Sequence, residues 1–305
     1  MNELEQAVAD FLADKRANAR SLRTAEHYQT VLGRVFLPWC QVEKLAEPAR
    51  LTKPTLDRFK VYLREKRNGD DKPLAQASQK SYLTAVHGFL VWTGEQGLTT
   101  PGVNVKPIGQ LDRKVLNTLS RAEIGEMEAA ANSERDKLII RILGDSGIRL
   151  GELLGLKPES LTTQGRENYL TVHGKGGKDR LVPILPAVAT RFKRYAEKGR
   201  PAEDYSGKVF IVLRKRASGG YDGLRARAVQ TMLKEVAHKA GIKKRVNPHS
   251  FRHSAATNAL RLGANPISLA ENLGHSDLKM LQRTYSHLVA SDRHAEMMRL
   301  LANDS

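Results

Sequence analysis

The sequence contains a single cysteine, Cys40, among its 305 residues. One thiol excludes an internal disulfide framework and a zinc site built from cysteines. Cys40 lies in the apolar run 36–40. We therefore predict that it is a small core residue.

Long apolar runs are also missing. No uninterrupted run approaches the length of a membrane span. Residues 1–5 are acidic and lack the apolar core of a signal peptide. These two features lead us to expect a cytoplasmic protein.

Acidic residues are scarce relative to basic ones. The chain has 33 Asp and Glu against 50 Lys and Arg, which gives a formal net charge of +17 and a pI near 10.0. Such a field attracts polyanions, and nucleic acid is the commonest partner of this kind. The alternative is a basic enzyme whose charge only keeps it soluble.

The first hundred residues show helical periodicity and little strand signal. Four helices are predicted, beginning near Leu4, near Ser21 or Thr24, after a capping Thr52, and near Ser78. Short connections between them favour a small bundle. The second predicted helix runs toward Pro38.

A segment without periodicity divides the chain. Proline and glycine punctuate residues 101–118, which we interpret as a linker between domains 1–100 and 119–305. Helical pattern resumes after Ser120 and Glu123, which have the spacing of a capping box. Residues 169–172 and 180–184 are predicted to form a hairpin, and 209–213 a third strand. The expected fold is mainly α, with a small β-sheet in the second domain.

The first of four notable sites is Arg149. An apolar helix over 138–143 breaks at 144–147, and a new helix begins around Arg149. An arginine at a helix start can bind an anion together with free backbone N–H groups. Glu152, one turn later, could hold the guanidinium. The alternative is an ordinary surface arginine.

The second site is Lys175, in the turn 174–178 of the predicted hairpin. The flanking glycines leave its ammonium exposed to a ligand. A nucleotide phosphate loop does not fit, because such a loop needs Ser or Thr after its lysine and a helix next, whereas Asp179 and a strand follow here. A plain hairpin remains the alternative.

The third site begins at Asn247 and Pro248. Proline fits a first helical position, so His249 and Arg252 should lie one turn apart on one face, where both can grip a phosphate oxygen. A zinc site on His249 and His253 is the alternative, but it lacks the intervening glutamate of a metalloprotease and a third ligand of obvious spacing.

The fourth site combines a predicted helix stop at Gly274 with His275 and, ten residues on, Tyr285. Taken alone, the tyrosine would be a packed aromatic and the histidine a loop residue.

The four sites together, in the order Arg, Lys, His-x-x-Arg, Gly-His, Tyr, resemble the tyrosine recombinase (phage integrase) family. The likeness covers nearly the whole chain. The first domain resembles that family's helical core-binding domain, including residues 78–82 leading to Phe89 and Trp92. The resemblance implies a core-binding domain and a mixed α/β catalytic domain that form a clamp on double-stranded DNA.

The resemblance also implies roles for six residues in cutting and rejoining DNA at a specific site. Tyr285 would attack phosphorus and form a 3′-phosphotyrosyl linkage. The other residues would stabilise charge or move protons: Arg149 and Arg252 as phosphate clamps, Lys175 as general acid, His249 as an aid to proton transfer at the tyrosine, and His275 as a hydrogen-bond donor to the phosphate. No metal, nucleotide or other cofactor is implied.

One departure from the family pattern is the spacing from His275 to Tyr285, which is ten residues where the family usually has nine. On a continuous helix, one extra residue rotates a side chain by about 100°. We expect a loop near Ser276 and Asp277, or just before Tyr285, to absorb it. Otherwise Tyr285 would point away, and the chain would bind DNA without cutting it.

Further expectations concern DNA contact and assembly. The helices that begin near Ser21 and Ser78 are candidates for the major groove, and the candidate contact residues are Arg23, Gln79, Lys80, Arg225 and Arg227. The apolar tail from Ala295 to Leu301 is expected to dock into a neighbouring subunit and link four protomers on DNA; its alternative is packing on its own domain.

Two other functions stay open: a catalytically silent DNA-binding protein of the same fold, and a topoisomerase. No arm-binding domain precedes the core-binding helices, which favours a Xer-like recombinase or resolvase over a lambda-type integrase. An accessory protein or partner recombinase is possible in either case.

Overall fold

The computed structural model describes residues 1–18, 22–100, 102–105, 118–174, 177, 179–201, 206–217 and 219–274, apart from the side chains of residues 22 and 23. The chain divides into two compact units, Met1–Lys114 (unit 1) and Val115–Ser305 (unit 2). The division falls inside the segment predicted as a linker. Val105, within that segment, is fully buried in the core of unit 1.

Unit 1 is helical. Its helices are α1 (Glu3–Asn18), α2 (Leu22–Val31), α3 (Leu37–Val42), α4 (Lys53–Glu65) and α5 (Gln76–Glu95). A π-helical turn, Leu32–Phe36, joins α2 to α3 without leaving helical geometry. The second predicted helix thus continues beyond Pro38, because proline is tolerated in the first turn of α3.

Aromatic rings fill the core of unit 1. Phe11 and Phe89 meet edge to face with centroids 5.5 Å apart, and Phe36 meets Phe59 in the same way at 5.1 Å. Cys40 lies in this core at 1% exposure, as predicted. Thr52 does occupy the N-cap position of α4, but its hydroxyl bonds the Thr55 hydroxyl rather than a backbone N–H.

Unit 2 surrounds a three-stranded antiparallel sheet with helices. The strands, in the order β1-β2-β3, are Leu161–Gln164, Glu167–His173 and Asp179–Ile184. The helices are α6 (Arg121–Ala130), α7 (Glu134–Ser146), α8 (Leu150–Gly155), α9 (Pro186–Arg194), α10 (Ala226–Lys239), α11 (Pro248–Arg261) and α12 (Pro266–Leu273). The predicted mainly α fold with a small sheet is confirmed, as is the hairpin that β2 and β3 form.

The third strand predicted at 209–213 is wrong. This run makes a single bridge, Ile211 to Gly223, while the Val209 N–H bonds the carbonyl of Leu156 in a loop. Val209, Phe210 and Ile211 are fully buried, whereas Leu213 is 51% exposed, and an apolar run by itself does not show which partner its backbone will find. The third strand is the more polar β1, which reaches β2 through a tight turn containing Gly165 at φ +61°.

Helix α7 is the centre of the unit 2 core. Its residues Leu138, Ile139, Ile140, Ile142 and Leu143 are all fully buried. The predicted capping box at the start of α6 is confirmed: the Glu123 N–H donates to Ser120 Oγ at 3.1 Å, and the Ser120 N–H donates to Glu123 Oε2 at 2.7 Å. Helix α7 ends at Gly147, two residues before Arg149, so its burial fixes the point at which the candidate site begins.

In the part of the chain that the structure describes, no helix is both long enough and apolar enough to cross a membrane.

Candidate active site

Arg149 lies in the short connection between α7 and α8. Helix α7 ends at Gly147, whose φ of +63° turns the chain, and Arg149 then occupies the N-cap position of α8. The Arg149 N–H donates to Glu152 Oε2 at 2.8 Å, and its Nη1 donates to Glu152 Oε1 at 3.0 Å. The expectation that Glu152 holds this guanidinium is therefore confirmed. The Arg149 side chain keeps 41% exposure, which leaves it open to a ligand.

Arg252 lies on α11, which begins as predicted with Pro248 in its first turn and Asn247 as N-cap. The Arg252 residue is 7% exposed. Its Nη1 donates to the Gly147 carbonyl at 2.9 Å, and its Nη2 donates to the Leu273 carbonyl at 2.6 Å. Arg252 therefore joins the end of α7 to the end of α12.

Three arginines, which we call the arginine cluster (Arg149, Arg180 and Arg252), bind consecutive carbonyls at the end of α12. Arg180 Nε donates to Asn272 at 2.8 Å, Arg252 to Leu273, and Arg149 Nη2 to Gly274 at 2.8 Å. Terminal carbonyls lack partners within a helix, and they form the negative end of its dipole. Arg149 and Arg252, which are far apart in sequence, thus converge immediately before His275.

Glu152 is the carboxylate of this cluster, and its side chain is 5% exposed. Besides Arg149, it accepts from Arg180 Nη1 at 2.9 Å and from Nη2 at 2.8 Å. Burial raises the pKa of this carboxyl, but the hydrogen bonds from Arg180 and Arg149 outweigh burial and bring the pKa below its ordinary value of 4.5. Two guanidinium groups share one carboxylate, so an excess of positive charge remains that suits a phosphate.

The two histidines of α11 lie close to Arg252. His249 is exposed in the first turn, one turn before Arg252, as the sequence predicts. His253 is partly buried; burial first, and then the charges of His249 and Arg252, lower the pKa of its imidazole. The described residues contain no group of three or more His, Cys, Asp or Glu side chains arranged to hold a metal ion.

Three predicted site residues, Lys175, His275 and Tyr285, lie outside the described residues, as does the tail from Ala295. The structure does describe the residues that flank Lys175 and the residue that precedes His275. His173 and Asp179 pair across the ends of β2 and β3, with Nδ1 and Oδ1 2.5 Å apart, and they flank the segment 174–178 that contains Lys175. Gly274, the residue before His275, ends α12 with φ +65°, as predicted.

Arg180 is not among the site residues that were predicted from the sequence. The signal that could have found it is the alternation along β3. Val182 and Ile184 face the core, so period 2 places Arg180 on the same inward face, where an arginine needs a partner.

The DNA-contact candidates of unit 1 lie on α2 and α5. The two helices are adjacent: His27 Nε2 lies 3.1 Å from Ser81 Oγ. Lys80 is partly exposed near the start of α5. Gln79 is 6% exposed and donates to the Leu74 carbonyl at 2.8 Å, which makes it the weakest candidate. The Arg23 side chain lies outside the described part, as does Ser21.

The candidates of unit 2 lie at the start of α10. Arg225 is its N-cap residue, and Arg227 follows in the first turn; both are exposed. The first turn of α10 carries no acidic residue.

Comparison with known proteins identifies the family and the fold of this chain. Residues 112–291 match the family model described as "Phage integrase family". The tyrosine recombinase XerA of Saccharolobus solfataricus is 32% identical over 267 residues, covering 85% of this chain and 82% of the relative. XerA of Thermococcus kodakarensis is 28% identical, and the match covers all of both chains. The Tn1549 transposon integrase, solved in complex with transposon right end DNA, shares the fold with a TM-score of 0.72 and 18% identity, over 99% of this chain and 100% of that chain.

The chain therefore belongs to the phage integrase family. Within that family it is a tyrosine recombinase of the Xer-like type, which makes it a site-specific DNA recombinase.

Proposed function

We propose that this protein cuts and rejoins DNA at a specific site through a covalent 3′-phosphotyrosyl intermediate on Tyr285. The observation that carries the proposal is the convergence of Arg149 and Arg252 on neighbouring carbonyls at the end of α12, one and two residues before His275. Unit 1 acts as the core-binding domain, and unit 2 as the catalytic domain.

In the cleavage step, the Tyr285 oxygen bonds to phosphorus as the bond to the 5′ oxygen breaks. Arg149 and Arg252 bind the non-bridging oxygens and stabilise the negative charge that develops in the pentacoordinate transition state. Lys175 protonates the leaving 5′ oxygen. His249 assists removal of the tyrosine proton, and His275 donates a hydrogen bond to the phosphate.

Rejoining reverses these steps. The 5′-hydroxyl of a partner strand attacks the phosphotyrosine, and Tyr285 leaves with its proton restored. Because the phosphotyrosine ester conserves the energy of the broken phosphodiester, the reaction needs no nucleotide, and Arg149 and Arg252 supply the charge stabilisation that a metal would otherwise give.

DNA binding follows from charge and from exposed arginines. The net charge of +17 favours association through counterion release. Arg225 and Arg227 lie at a helix N-terminus, where a cation is unfavourable unless an external anion compensates it. We assign that anion to the DNA backbone and assign groove contact to α2 and α5. The DNA in the solved transposon integrase complex is consistent with such a partner.

Assembly is the further part of this proposal. The apolar tail from Ala295 to Leu301 docks on a second copy of the chain and links four protomers on DNA. Removal of residues 295–305 should abolish recombination while site binding persists. Full recombination by the shortened chain would contradict this role for the tail.

The test is covalent trapping on a nicked suicide DNA substrate, in which the cleaved fragment diffuses away and the reaction cannot reverse. The site would first be identified by binding selection or from DNA that flanks the gene. The native protein should form an adduct that survives denaturant, and Tyr285→Phe should not. Tyr221→Phe removes the same hydroxyl group from another part of unit 2 and should form the adduct normally.

The second candidate is a DNA-binding protein that does not cut, favoured by the ten-residue spacing between His275 and Tyr285. Tight, specific binding without an adduct from the native protein would establish it and contradict the proposed chemistry. An adduct that persists in Tyr285→Phe would show that the nucleophile is another residue.

A further inference from the structure

Arg180 joins β3 to Glu152 and to the end of α12, and it takes no part in the bond-breaking and bond-making steps proposed for the site. Its side chain is 16% exposed. All three guanidinium nitrogens donate: Nε to the Asn272 carbonyl, and Nη1 and Nη2 to the two oxygens of Glu152, at 2.8 to 2.9 Å. The paired bonds to Glu152 form a fork that fixes the direction of the guanidinium as well as its distance.

The two partners of Arg180, Glu152 and Asn272, and its chain neighbour Asp179 connect it to residues of the proposed chemistry. Glu152 also binds Arg149, through both its backbone N–H and Nη1. Asn272 lies in the last turn of α12, three residues before His275. Asp179, the neighbour of Arg180 on β3, pairs with His173 at the two ends of the segment that contains Lys175.

The backbone of Gly274 lies close to the guanidinium of Arg180. A Cβ at Gly274 would lie 2.9 Å from both Cζ and Nη1 of Arg180. The guanidinium therefore packs directly on the backbone of the residue before His275. The glycine leaves room for the guanidinium, and it adopts its φ of +65° without the strain that another residue would have.

We propose that Arg180 is a positioning residue for DNA cleavage: it holds Glu152 in the place that orients Arg149, and it fixes the end of α12 from which His275 follows. This inference rests on the proposed function. Arg180 touches other residues of the protein rather than the DNA, so its loss should slow cleavage without weakening binding to the site.

The first measurement is the single-turnover rate of adduct formation at saturating DNA, with the dissociation constant measured separately. Arg180→Gln should lower the rate by about 10²-fold, the size expected when a reacting group is misplaced by about 1 Å. The dissociation constant should stay at the native value. Arg180→Lys keeps the charge but cannot form the paired bonds to Glu152, so its rate should lie between those of the native chain and Arg180→Gln.

A matched control is Arg191, on α9. It is also partly buried at 25% exposure, and it binds two carboxylates, those of Glu128 and Glu134, away from the arginine cluster. Arg191→Gln should lower the thermal unfolding temperature but cleave DNA at the native rate. If it slows cleavage as much as Arg180→Gln does, loss of any such ion pair is sufficient, and a specific role for Arg180 is wrong.

A second background separates positioning from general damage. Arg149→Lys keeps a cation but removes the guanidinium that Arg180 is proposed to orient. In that background, Arg180→Gln should lower the rate of adduct formation by a much smaller factor than it does in the native chain. Both changes disrupt the same arrangement, in which Arg180 and Glu152 hold the Arg149 guanidinium. An equal reduction of the rate of adduct formation in both backgrounds would mean that Arg180 acts independently of Arg149, contrary to the proposal.

A third measurement requires no catalysis. The Nε–H signal of Arg149 in a ¹⁵N-labelled spectrum can be assigned by its loss in Arg149→Lys. The signal should shift or broaden in Arg180→Gln and stay unchanged in Arg191→Gln.

The outcomes distinguish this inference from the function on which it rests. If the native protein forms the adduct and Arg180→Gln is equally fast, the positioning role fails and the proposed function stands. If the native protein forms no adduct on its own site, the proposed function fails. The Nε–H signal of Arg149 then tests whether Arg180 orients Arg149. A shift or broadening in Arg180→Gln but not in Arg191→Gln supports this claim, and an unchanged signal in Arg180→Gln overturns it.

Discussion

Replacing Gly274 with alanine adds one methyl group at the point where the arginine cluster meets α12. Two costs can be estimated. The first is backbone strain, because φ is +65°, and a left-handed conformation costs an ordinary residue about 1–2 kcal/mol. The second is a collision, because the new Cβ would lie 2.9 Å from Cζ and Nη1 of Arg180. Arg180 must move and give up at least one hydrogen bond to Glu152, worth about 1.5–3 kcal/mol.

The expected loss in the free energy of unfolding is therefore roughly 2.5–5 kcal/mol. Gly241, just after α10, is a matched control: its φ is +70°, but a Cβ there would meet nothing within 4 Å. Gly241→Ala should cost only the strain, about 1–2 kcal/mol. The difference between the two variants measures the collision.

Urea unfolding followed by far-ultraviolet circular dichroism gives these free energies. Trp39 and Trp92, the two tryptophans of the chain, both belong to unit 1, so their fluorescence identifies the unfolding transition of that unit. The transition without a tryptophan signal belongs to unit 2, and the loss should appear there.

Equal costs for Gly274→Ala and Gly241→Ala would refute the reasoning, because they would show that Arg180 yields without penalty. A further check uses Arg180→Ala as the background. With the guanidinium absent, Gly274→Ala should cost no more than the control. A cost that persists in this background would have to come from another neighbour.

Three further predictions concern single groups. The folded-state pKa of Glu152 lies below 4.5, so its contribution to stability is complete above pH 4.5 and is lost as the pH falls through the lowered value. The free energy of unfolding of unit 2 should thus fall more steeply with acid in the native chain than in Glu152→Gln, and parallel pH curves would contradict this. Burial, and then the charge of Glu43, raise the pKa of the Cys40 thiol to about 12 from 9.0. The thiolate is the reactive form, so at about pH 8 the folded chain should react with a disulfide reagent at least about 10³-fold more slowly than the unfolded chain; rapid labelling of folded protein would place Cys40 outside the core. Finally, the fully buried Ser254 Oγ accepts from the Leu119 N–H at 2.6 Å. Ser254→Ala leaves that N–H without this partner and should cost about 1–3 kcal/mol in urea unfolding, and an unchanged midpoint would mean that the N–H finds another acceptor.

The sequence by itself determined those features that depend on neighbours within a few residues. The capping box of Ser120 and Glu123, the hairpin of β2 and β3, and the glycine stop at Gly274 each arise from local geometry. The contact between Arg149 and Glu152 belongs to the same class, because residues three apart meet across one helical turn. The burial of Cys40 followed from its apolar neighbours.

Only the tertiary structure decided which distant groups meet. Arg149 and the Gly274 carbonyl are 125 residues apart, Arg252 and Gly147 are 105 apart, and Arg180 and Asn272 are 92 apart. The apolar run 209–213 could not reveal that its backbone pairs with loops, because burial gives the same pattern in a strand and in an irregular segment.

The physical reason for this division is the range of the forces involved. Turn geometry and capping act over one turn of chain, and a sequence displays them directly. The terminal carbonyls of α12 and the guanidinium groups that bind them are each incomplete on their own, and the partner of each is set by how whole helices and strands pack. Arg180 could be recognised from the sequence as an inward-facing cation that needs a partner, but the structure alone shows that its partners are Glu152 and the end of α12.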